Sequence, residues 1–351
     1  MDVRKHFHLI ACAVLILGAA AGCCPPAPAQ PTAAQATAPA DSGLTDADSR
    51  LTDDETATLG SLEKIDDYPL YTMRFHGAYD QYRNRAGTPA SPEWACSLFA
   101  ALGDAEGMVY GRNFDWEYSP ALLLFTDPPD GYASVSMVDI GYLVDKDQVR
   151  SLTDLPLADR AALLGAPFWP FDGMNEHGLV VGMAAVPESV TPDDPDKEMI
   201  GSLAIIREML DHARDVDEAV AIIESYNIVW SGGPPLHYLI ADASGRAVLV
   251  EFQAGRMIVI PNEAPFHLAT NHLRVTASGA GGCRRYATLD ERLTETGGRL
   301  APQEAVDLLE DVAQVETQWS IVYGFSSGDV RVVMGREYGT IHTLHLDNSS
   351  Q

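Results

Sequence analysis

The chain has 351 residues, of which 46% are hydrophobic and 8% aromatic, so it is long enough for one or two domains with a sizeable packed core. Its 50 acidic and 23 basic side chains give a formal net charge of −27. So large a negative charge argues against nucleic acid or an anionic membrane surface as a partner.

The N-terminal segment has the features of an export signal. Arg4 and Lys5 precede an apolar run over 9–21, which is too short to span a membrane but has the length of a secretory signal core. The run ends in Ala-Ala-Gly before Cys23, which resembles a bacterial lipoprotein cleavage box. We therefore expect residues 1–22 to be a signal peptide and Cys23 to carry a lipid anchor on the outer face of the cell membrane. Plain secretion is one alternative, and a cytosolic protein with an apolar N-terminal helix is another.

Three further regions follow the signal. Residues 23–50 are dominated by Ala, Pro, Gln and Thr, a composition that cannot bury a core and predicts a disordered tether. Residues 51–95 look foldable but small, and we interpret them as a propeptide that covers the substrate cleft. Residues 96–351 form the predicted catalytic domain.

From Cys96 onward, groups of strands alternate with pairs of helices. Short runs rich in β-branched and aromatic residues predict strands, and apolar residues at helical spacing predict helices. Strands are expected at 108–110, 121–126, 132–139, 179–185, 236–241, 247–252, 257–260, 320–323, 330–334 and 340–346, and helices at 205–213, 216–226, 284–294 and 303–312. This order indicates antiparallel sheets covered by helices.

Only two of the five cysteines, Cys96 and Cys283, lie in the expected folded body. Exported proteins often pair their cysteines. Either these two form a disulfide, or one of them is kept reduced because it reacts.

The surroundings of Cys96 favour a reactive thiol. A cysteine attacks as its thiolate and needs a base or a lowered pKa. If the chain is cut before Cys96, the new α-amino group, with a pKa of roughly 8, can take the thiol proton. A hairpin would bring Asp115 back to orient this amine and Arg112 back to stabilise negative charge. Because those two are three residues apart, they would not share a strand face, and we expect a bend at Asn113 or Phe114.

These residues resemble the start of mature choloylglycine hydrolases and their linear-amide relatives, which include penicillin V acylases, acid ceramidase, N-acylethanolamine acid amidase and the acyltransferases that build penicillins. The resemblance extends over about 62–346. It rests on Cys96 with Gly-Arg-Asn-Phe-Asp-Trp at 111–116, Met-Asn-Glu-His-Gly-Leu at 174–179, Ala-Thr-Asn-His at 269–272, Cys-Arg-Arg-Tyr at 283–286 and Thr-Gln-Trp-Ser-Ile-Val-Tyr at 317–323.

The resemblance implies an α+β fold, a four-layer αββα sandwich of the N-terminal-nucleophile hydrolase type. It also implies hydrolysis of a linear amide through a thioester acyl-enzyme, with no cofactor and no metal. The site residues that it implies are Cys96 as nucleophile and, through its amine, general base, Asp115 holding the amine, Arg112 near the thiolate, Asn271 and the main chain of Asn175 at the oxyanion, and Arg285 organising the site electrostatically.

One departure from the resemblance concerns processing. In many relatives the cysteine follows the initiator methionine, whereas 95 residues precede it here. We therefore expect an inactive precursor, which is cut when Cys96 attacks the carbonyl of Ala95.

Other interpretations stay open at this stage. Acyl transfer to an amine would use the same residues, and an inactive lipoprotein that binds acyl ligands would leave Cys96 a bystander. A papain-like pair would join Cys96 to His177, His237 or His272. Asparagine is common in turns, so Asn175 and Asn271 could be turn residues, and the aromatic residues at 116, 168, 169 and 171 suit an acyl pocket or the core. The sequence identifies neither the substrate nor the oligomeric state.

Overall fold

The computed structural model describes residues 51–83, 95–145, 147–230, 233–276 and 282–347. These residues belong to one compact unit, Asp46–Gln351. The predicted signal peptide at 1–22 and tether at 23–50 lie outside the described residues and stay predictions. Within the described part of the chain, no helix has both the length and the apolar character needed to cross a membrane.

The larger of two main sheets contains nine strands, numbered here in chain order. In spatial order they are β1 (Glu63–Asp66), β2 (Leu70–Phe75), β5 (Ala121–Thr126), β6 (Ser134–Asp139), β7 (Pro170–Asn175), β8 (Val180–Ala185), β11 (Leu236–Ala241), β12 (Ala247–Gln253) and β13 (Arg256–Pro261). Neighbouring strands are antiparallel except β2 and β5, which are parallel.

The smaller main sheet is antiparallel throughout and contains Cys96. In spatial order its strands are β14 (Phe266–Ala269), β3 (Ala95–Ala101), β4 (Val109–Asp115), β15 (Thr317–Gly324), β16 (Asp329–Met334) and β17 (His342–His345). A separate parallel pair is formed by β9 (Glu198–Gly201) and β10 (Tyr226–Val229).

The α-helices lie on the outer faces of the two sheets. They are α1 (Asp53–Gly60), α2 (Ala204–His212), α3 (Val216–Ser225), α4 (Arg284–Thr296) and α5 (Pro302–Asp311), and 3₁₀ segments occupy Asp80–Tyr82, Ile140–Tyr142, Leu152–Asp154 and Leu157–Phe168. The helices α2 and α3 pack on the larger sheet, α4 and α5 pack on the smaller one, and the inner faces meet through β3 and β8. This arrangement is a four-layer αββα sandwich, which confirms the predicted fold class.

Two helix ends show why the sequence forms these elements. Asp215 caps α3 by accepting the main-chain N–H of Glu218 at 3.0 Å, as its position before an apolar helical run predicts. At a C-terminal helix end, α4 stops at Gly297, whose φ of 60° lies in the left-handed region that glycine adopts without strain.

The two main sheets approach closely at Gly182 on β8. A Cβ atom at this position would lie 2.5 Å from the Oη atom of Tyr110 and 2.8 Å from the Cδ2 atom of Leu98. Any side chain here would push the sheets apart. Glycine therefore allows β8 to lie directly against the strands that carry the site.

The predicted helices and strands after Cys96 are confirmed, but some elements were not predicted. The strand β7 was missed, and it carries a proline together with the buried polar residues Asp172 and Asn175. The strands β1 and β2 were missed as well, because β2 pairs with β5 about 50 residues later in the chain.

Residues 51–83 are built into the fold. Leu59, Leu70 and Tyr71 have no exposed surface, and β2 is hydrogen-bonded into the larger sheet. The structure thus places this part of the predicted propeptide in the core and at the edge of the larger sheet, and its role as a propeptide stays a prediction.

We predict that Leu70→Ala lowers the free energy of unfolding by about 2–5 kcal/mol, because it removes buried methyl groups and leaves a cavity. Glu63→Ala, at an exposed position of the neighbouring strand, is the matched control and should change it by at most about 0.5 kcal/mol. Urea unfolding of both variants checks this. Equal stabilities would show that residues 51–83 are not part of the folded core.

Candidate active site

The β3–β4 ladder places Cys96 between two different environments. Cys96 lies opposite Phe114, and Leu98 lies opposite Arg112. Since side chains alternate along a strand, the thiol of Cys96 and the guanidinium of Arg112 share the face that looks toward the larger sheet. Asp115 points to the opposite face, toward α4.

The expected bend in β4 is wrong. The strand runs without interruption over Val109–Asp115, and the irregularity lies on its partner, between Thr317 and Trp319 of β15. No bend is needed because Arg112 contacts the Cys96 thiol on one face of the ladder, while Asp115 lies on the other face beside Arg285, which holds the Cys96 main chain.

On the inner face, the Cys96 thiol contacts a buried ion pair. The Nη2 atom of Arg112 donates to the Sγ atom of Cys96 at 3.3 Å, and its Nη1 atom donates to Asp172 on β7. The Tyr323 hydroxyl donates to the other carboxylate oxygen of Asp172 at 2.5 Å. All four residues have no exposed surface. Sequence reasoning missed Asp172; its only signal is a carboxylate within an otherwise apolar run.

Burial and charge act in opposite directions on these groups. Burial raises the pKa of the Cys96 thiol, and the Arg112 guanidinium opposes that rise. Burial likewise raises the pKa of the Asp172 carboxyl against the effects of Arg112 and Tyr323. Although burial lowers the pKa of Arg112, the neighbouring Cys96 and Asp172 raise it above its ordinary value. A cation is therefore fixed beside a thiol that is otherwise hard to ionise.

The main chain of Cys96 is held by Asn271 and Arg285. The Cys96 N–H donates to the Oδ1 atom of Asn271 at 2.9 Å, and Arg285 donates to the Cys96 carbonyl oxygen. Arg285 also donates to the Ser97 hydroxyl at 2.9 Å and to the Oδ1 atom of Asn271 at 2.8 Å. The Nδ2 atom of Asn271 donates to the carbonyl oxygen of Ala185 at 2.8 Å.

Asp115 completes this side of the site. It lies opposite Ala95 in the ladder, accepts a hydrogen bond from the Thr317 hydroxyl at 2.6 Å, and lies 3.5 Å from the Nη1 atom of Arg285. Burial raises the pKa of Asp115 from 3.8 to about 6, although Thr317 and Arg285 oppose the rise. The structure thus brings five of the six predicted site residues together.

Asn175 is the exception, and its predicted place at the oxyanion is corrected. Its main-chain N–H already donates to the carbonyl oxygen of Leu179 at 3.0 Å. Its side chain accepts from the N–H groups of His177 and Leu179, and donates to the carbonyl oxygens of Leu210 and Ala213. Asn175 therefore holds the β7–β8 turn against the end of α2, which matches its alternative reading as a turn residue.

The remaining candidates have other surroundings. Cys96 and Cys283 are both free thiols, so they form no disulfide. Among the residues that the structure describes, the side chains that hydrogen-bond Cys96 are those of Asn271, Arg112 and Arg285, and none of them is a histidine. In the described ranges, no group of three or more His, Cys, Asp or Glu residues could hold a metal ion.

A cavity of about 360 Å³ is lined in part by His272, the residue after Asn271. The cavity also lies near Ala185, whose carbonyl oxygen accepts a hydrogen bond from the Asn271 side chain. Pro187, two residues after Ala185, lines it as well. The lining is largely apolar and consists of Pro187, Glu188, Ser189, Val190, Phe252, Gln253, Ala254, His272, Leu273 and Thr276. Phe168, Trp169 and Phe171, which could have lined an acyl pocket, belong to the buried core.

We predict that Asp115→Asn removes a pH dependence of stability. The folded-state pKa of about 6 exceeds the ordinary 3.8, so the folded chain binds more protons between these values and its stability falls as pH rises through them. The full change corresponds to about 3 kcal/mol. The test compares the unfolding free energies of Cys96→Ala and Cys96→Ala/Asp115→Asn at pH 4.5, 5.5 and 7. The two values should lie closest at pH 4.5, and as pH rises the double variant should become the more stable of the two. A constant difference at all three pH values would contradict the raised pKa.

Part of the chain is similar to known proteins. Residues 162–328 match the model of the family described as acyl-coenzyme A:6-aminopenicillanic acid acyl-transferase. A stretch of 109 residues is 30% identical to an uncharacterized protein of Paramecium bursaria Chlorella virus 1. That match covers 28% of this chain and 38% of the relative, so the chain spans well under half the length of this curated relative.

Two solved structures of one enzyme show the same fold. A mutant conjugated bile acid hydrolase from Clostridium perfringens superposes with a TM-score of 0.52 and 17% identity, covering 73% of this chain and 93% of that one. Another variant of the same enzyme gives 0.50 and 15%, covering 71% and 92%. Penicillin V acylase from Agrobacterium tumefaciens gives 0.47 and 17%, covering 72% and 86%. Over part of its length the chain is thus similar to that acyl-transferase family, and it shares the fold of conjugated bile acid hydrolase.

Proposed function

We propose that this protein hydrolyses the carbon–nitrogen bond of a linear N-acyl amide, with Cys96 as an N-terminal nucleophile released by a cut after Ala95. The observation that carries the proposal is the buried Arg112 guanidinium, whose Nη2 atom lies 3.3 Å from the Cys96 Sγ atom. A fixed cation favours the thiolate that attacks. The likeness to a conjugated bile acid hydrolase supports the same reaction class.

The proposed cut is intramolecular. The Sγ atom of Cys96 attacks the carbonyl carbon of Ala95, the bond to the Cys96 nitrogen breaks, and that nitrogen takes the thiol proton. Water then hydrolyses the resulting thioester, which leaves a carboxylate on Ala95 and a free thiol and α-amine on Cys96. The contacts of Asn271 and Arg285 with the Cys96 main chain support this step, because they hold the residue at the scissile bond.

Turnover follows the same chemistry on a substrate. The amine of Cys96 takes the thiol proton, the thiolate attacks the amide carbonyl, and the departing amine receives the proton. Asp115 orients the α-amine, and the amide of Asn271 stabilises the oxyanion. Water releases the acid from the thioester. We place the apolar part of the substrate in the cavity that begins at His272.

We predict that the purified wild type contains a chain starting at Cys96 and that Cys96→Ala does not. The wild type should also release arylamine from fatty-acid amides of a fluorogenic arylamine, because only the cut chain has both thiol and amine. Cys283→Ala changes the other free thiol and is the matched control, which should keep both properties. Intact mass, N-terminal sequencing and fluorescence measure these outcomes.

The other outcomes would assign different functions. An uncut wild type with a reactive thiol and amidase activity would eliminate the N-terminal-nucleophile mechanism and favour a papain-like one. An uncut and inactive wild type would favour a lipoprotein that binds acyl ligands.

Acyl transfer is the second candidate, and the description of the matching family favours it. Both reactions pass through the same thioester, so the acceptor decides between them. Hydroxylamine, added to an arylamide assay at millimolar concentration, serves as an amine acceptor that competes with water. If hydrolysis is the native reaction, free fatty acid should remain the main product. Mass spectrometry of the products separates the cases, since a dominant hydroxamate would favour a transferase.

We further propose export, with lipid attachment at Cys23. The support is the signal-like run at 9–21 and the small residues before Cys23. The mass of the N-terminal fragment from the same preparation reports both removal of 1–22 and any added acyl chain.

A further inference from the structure

A buried acid–histidine pair lies beside the site but does not touch Cys96. His237 on β11 and Glu251 on β12 have no exposed surface, and the Nδ1 atom of His237 lies 3.2 Å from the Oε1 atom of Glu251. Burying such a pair is costly unless its remaining polar atoms are also satisfied. The partners of those atoms therefore indicate what the pair does.

Within the described residues, the other hydrogen bonds of these two side chains go to the main chain of one segment, 270–275. The Nε2 atom of His237 lies 2.8 Å from the carbonyl oxygen of Thr270, and because a carbonyl only accepts, Nε2 donates. Glu251 accepts the N–H of Arg274 at 2.7 Å and the N–H of Val275 at 2.9 Å. Both ends of the segment are thus fastened to the same buried pair.

The chemistry of Glu251 agrees with this fastening. Burial alone raises the pKa of its carboxyl, but the hydrogen bonds from His237 and from the N–H groups of Arg274 and Val275 together lower it below the ordinary 4.5. The ionised form is therefore the one that the segment binds.

The fastened segment carries Asn271. The carbonyl that His237 holds belongs to the peptide group joining Thr270 to Asn271, so a movement of this group would move the Asn271 side chain. That side chain contacts the Cys96 nitrogen at 2.9 Å and Arg285 at 2.8 Å. A misplacement of about 1 Å in such a contact can cost about 10²-fold in rate.

We propose that His237 and Glu251 are positioning residues, which fix Asn271 against Cys96 and so set the rates of the cut and of turnover. The rate statement rests on the proposed function, whereas the contact between Asn271 and the nitrogen of residue 96 does not. The experiment below therefore measures the two separately.

Two substitutions at His237 separate its two nitrogens. In His237→Gln the side-chain amide can reach the position of Nε2 and keep the bond to Thr270, whereas His237→Asn reaches only the position of Nδ1 and keeps Glu251. We expect His237→Asn to be cut, and to turn over arylamide substrate, at least about tenfold more slowly, with kcat reduced and KM little changed. His237→Gln should stay within about threefold of the wild type.

Asp242→Asn is the matched control. Asp242 is a buried carboxylate on the same β11–β12 hairpin that accepts the N–H groups of Val216 at 3.0 Å and Ser244 at 2.9 Å. It should lower stability without changing kcat or the rate of the cut. If Asp242→Asn slowed both as much as His237→Asn does, the effect would be one of general stability and the proposal would fall.

The activity-independent measurement is hydrogen exchange of the amide at residue 96 in the uncut Cys96→Ala chain. Adding His237→Asn should speed this exchange, and adding His237→Gln or Asp242→Asn should not. Glu251→Gln replaces His237→Asn if the latter does not fold. An uncut, inactive wild type with faster exchange would reject the proposed function and keep the positioning role. Unchanged exchange in folded His237→Asn or Glu251→Gln, or faster exchange with normal rates of cut and turnover, would overturn the inference.

Discussion

Arg112 is a cation without exposed surface, and a protein interior holds such a charge only when it is paired and hydrogen-bonded. Its partners come from both sheets, Cys96 from β3 and Asp172 from β7. The sheets must therefore approach closely at this point, which Gly182 permits by having no side chain. Fold and site depend on the same contact, since separating the sheets would leave the charge unpaired and removing the charge would leave the thiol without its cation.

The two-residue period of the β3–β4 ladder divides the site into two parts. The inner face holds the sulfur of Cys96 beside a cation, where burial raises its pKa and Arg112 opposes the rise. The outer face and the strand end hold its nitrogen and carbonyl, through Asn271, Arg285 and the neighbouring Asp115. The proposed nucleophile and the proposed base of one residue therefore lie in different electrostatic environments.

The extent to which the sequence predicted this site follows from the range of each interaction. Local spacing was enough to place Cys96, Arg112 and Asp115 on one hairpin, and the motif resemblance added Asn271 and Arg285. The predicted bend is wrong because it assumed that Arg112 and Asp115 reach Cys96 from the same side. The thiol and the main chain of Cys96 are instead bound from opposite faces of the ladder. Asp172 was missed because its partner lies 60 residues away and its strand has no clear pattern.

Asn175 shows the same limit from the opposite direction. Asparagine before Glu-His-Gly-Leu fits both an oxyanion donor and a turn, and the choice depends on which carbonyls lie nearby. Gly178, with a φ of 74°, forms a tight turn that brings the main chain of Leu179 onto Asn175, and α2 supplies two more carbonyl acceptors. Those partners come from the packing of a helix on the sheet, and no local pattern in the sequence contains them.

The same contacts explain how a cut could activate the site without rearranging it. Asn271 holds the nitrogen of Cys96, which is an amide in the uncut chain and would be an amine after the proposed cut. An amide nitrogen cannot take the thiol proton, and among the described residues the only side chain that hydrogen-bonds the buried thiol is that of Arg112, which is no base. Cleavage would change only the chemistry of that nitrogen, while Arg112, Asn271 and Arg285 are already in place. The proposed cut would therefore activate the protein by creating a base within a preformed site.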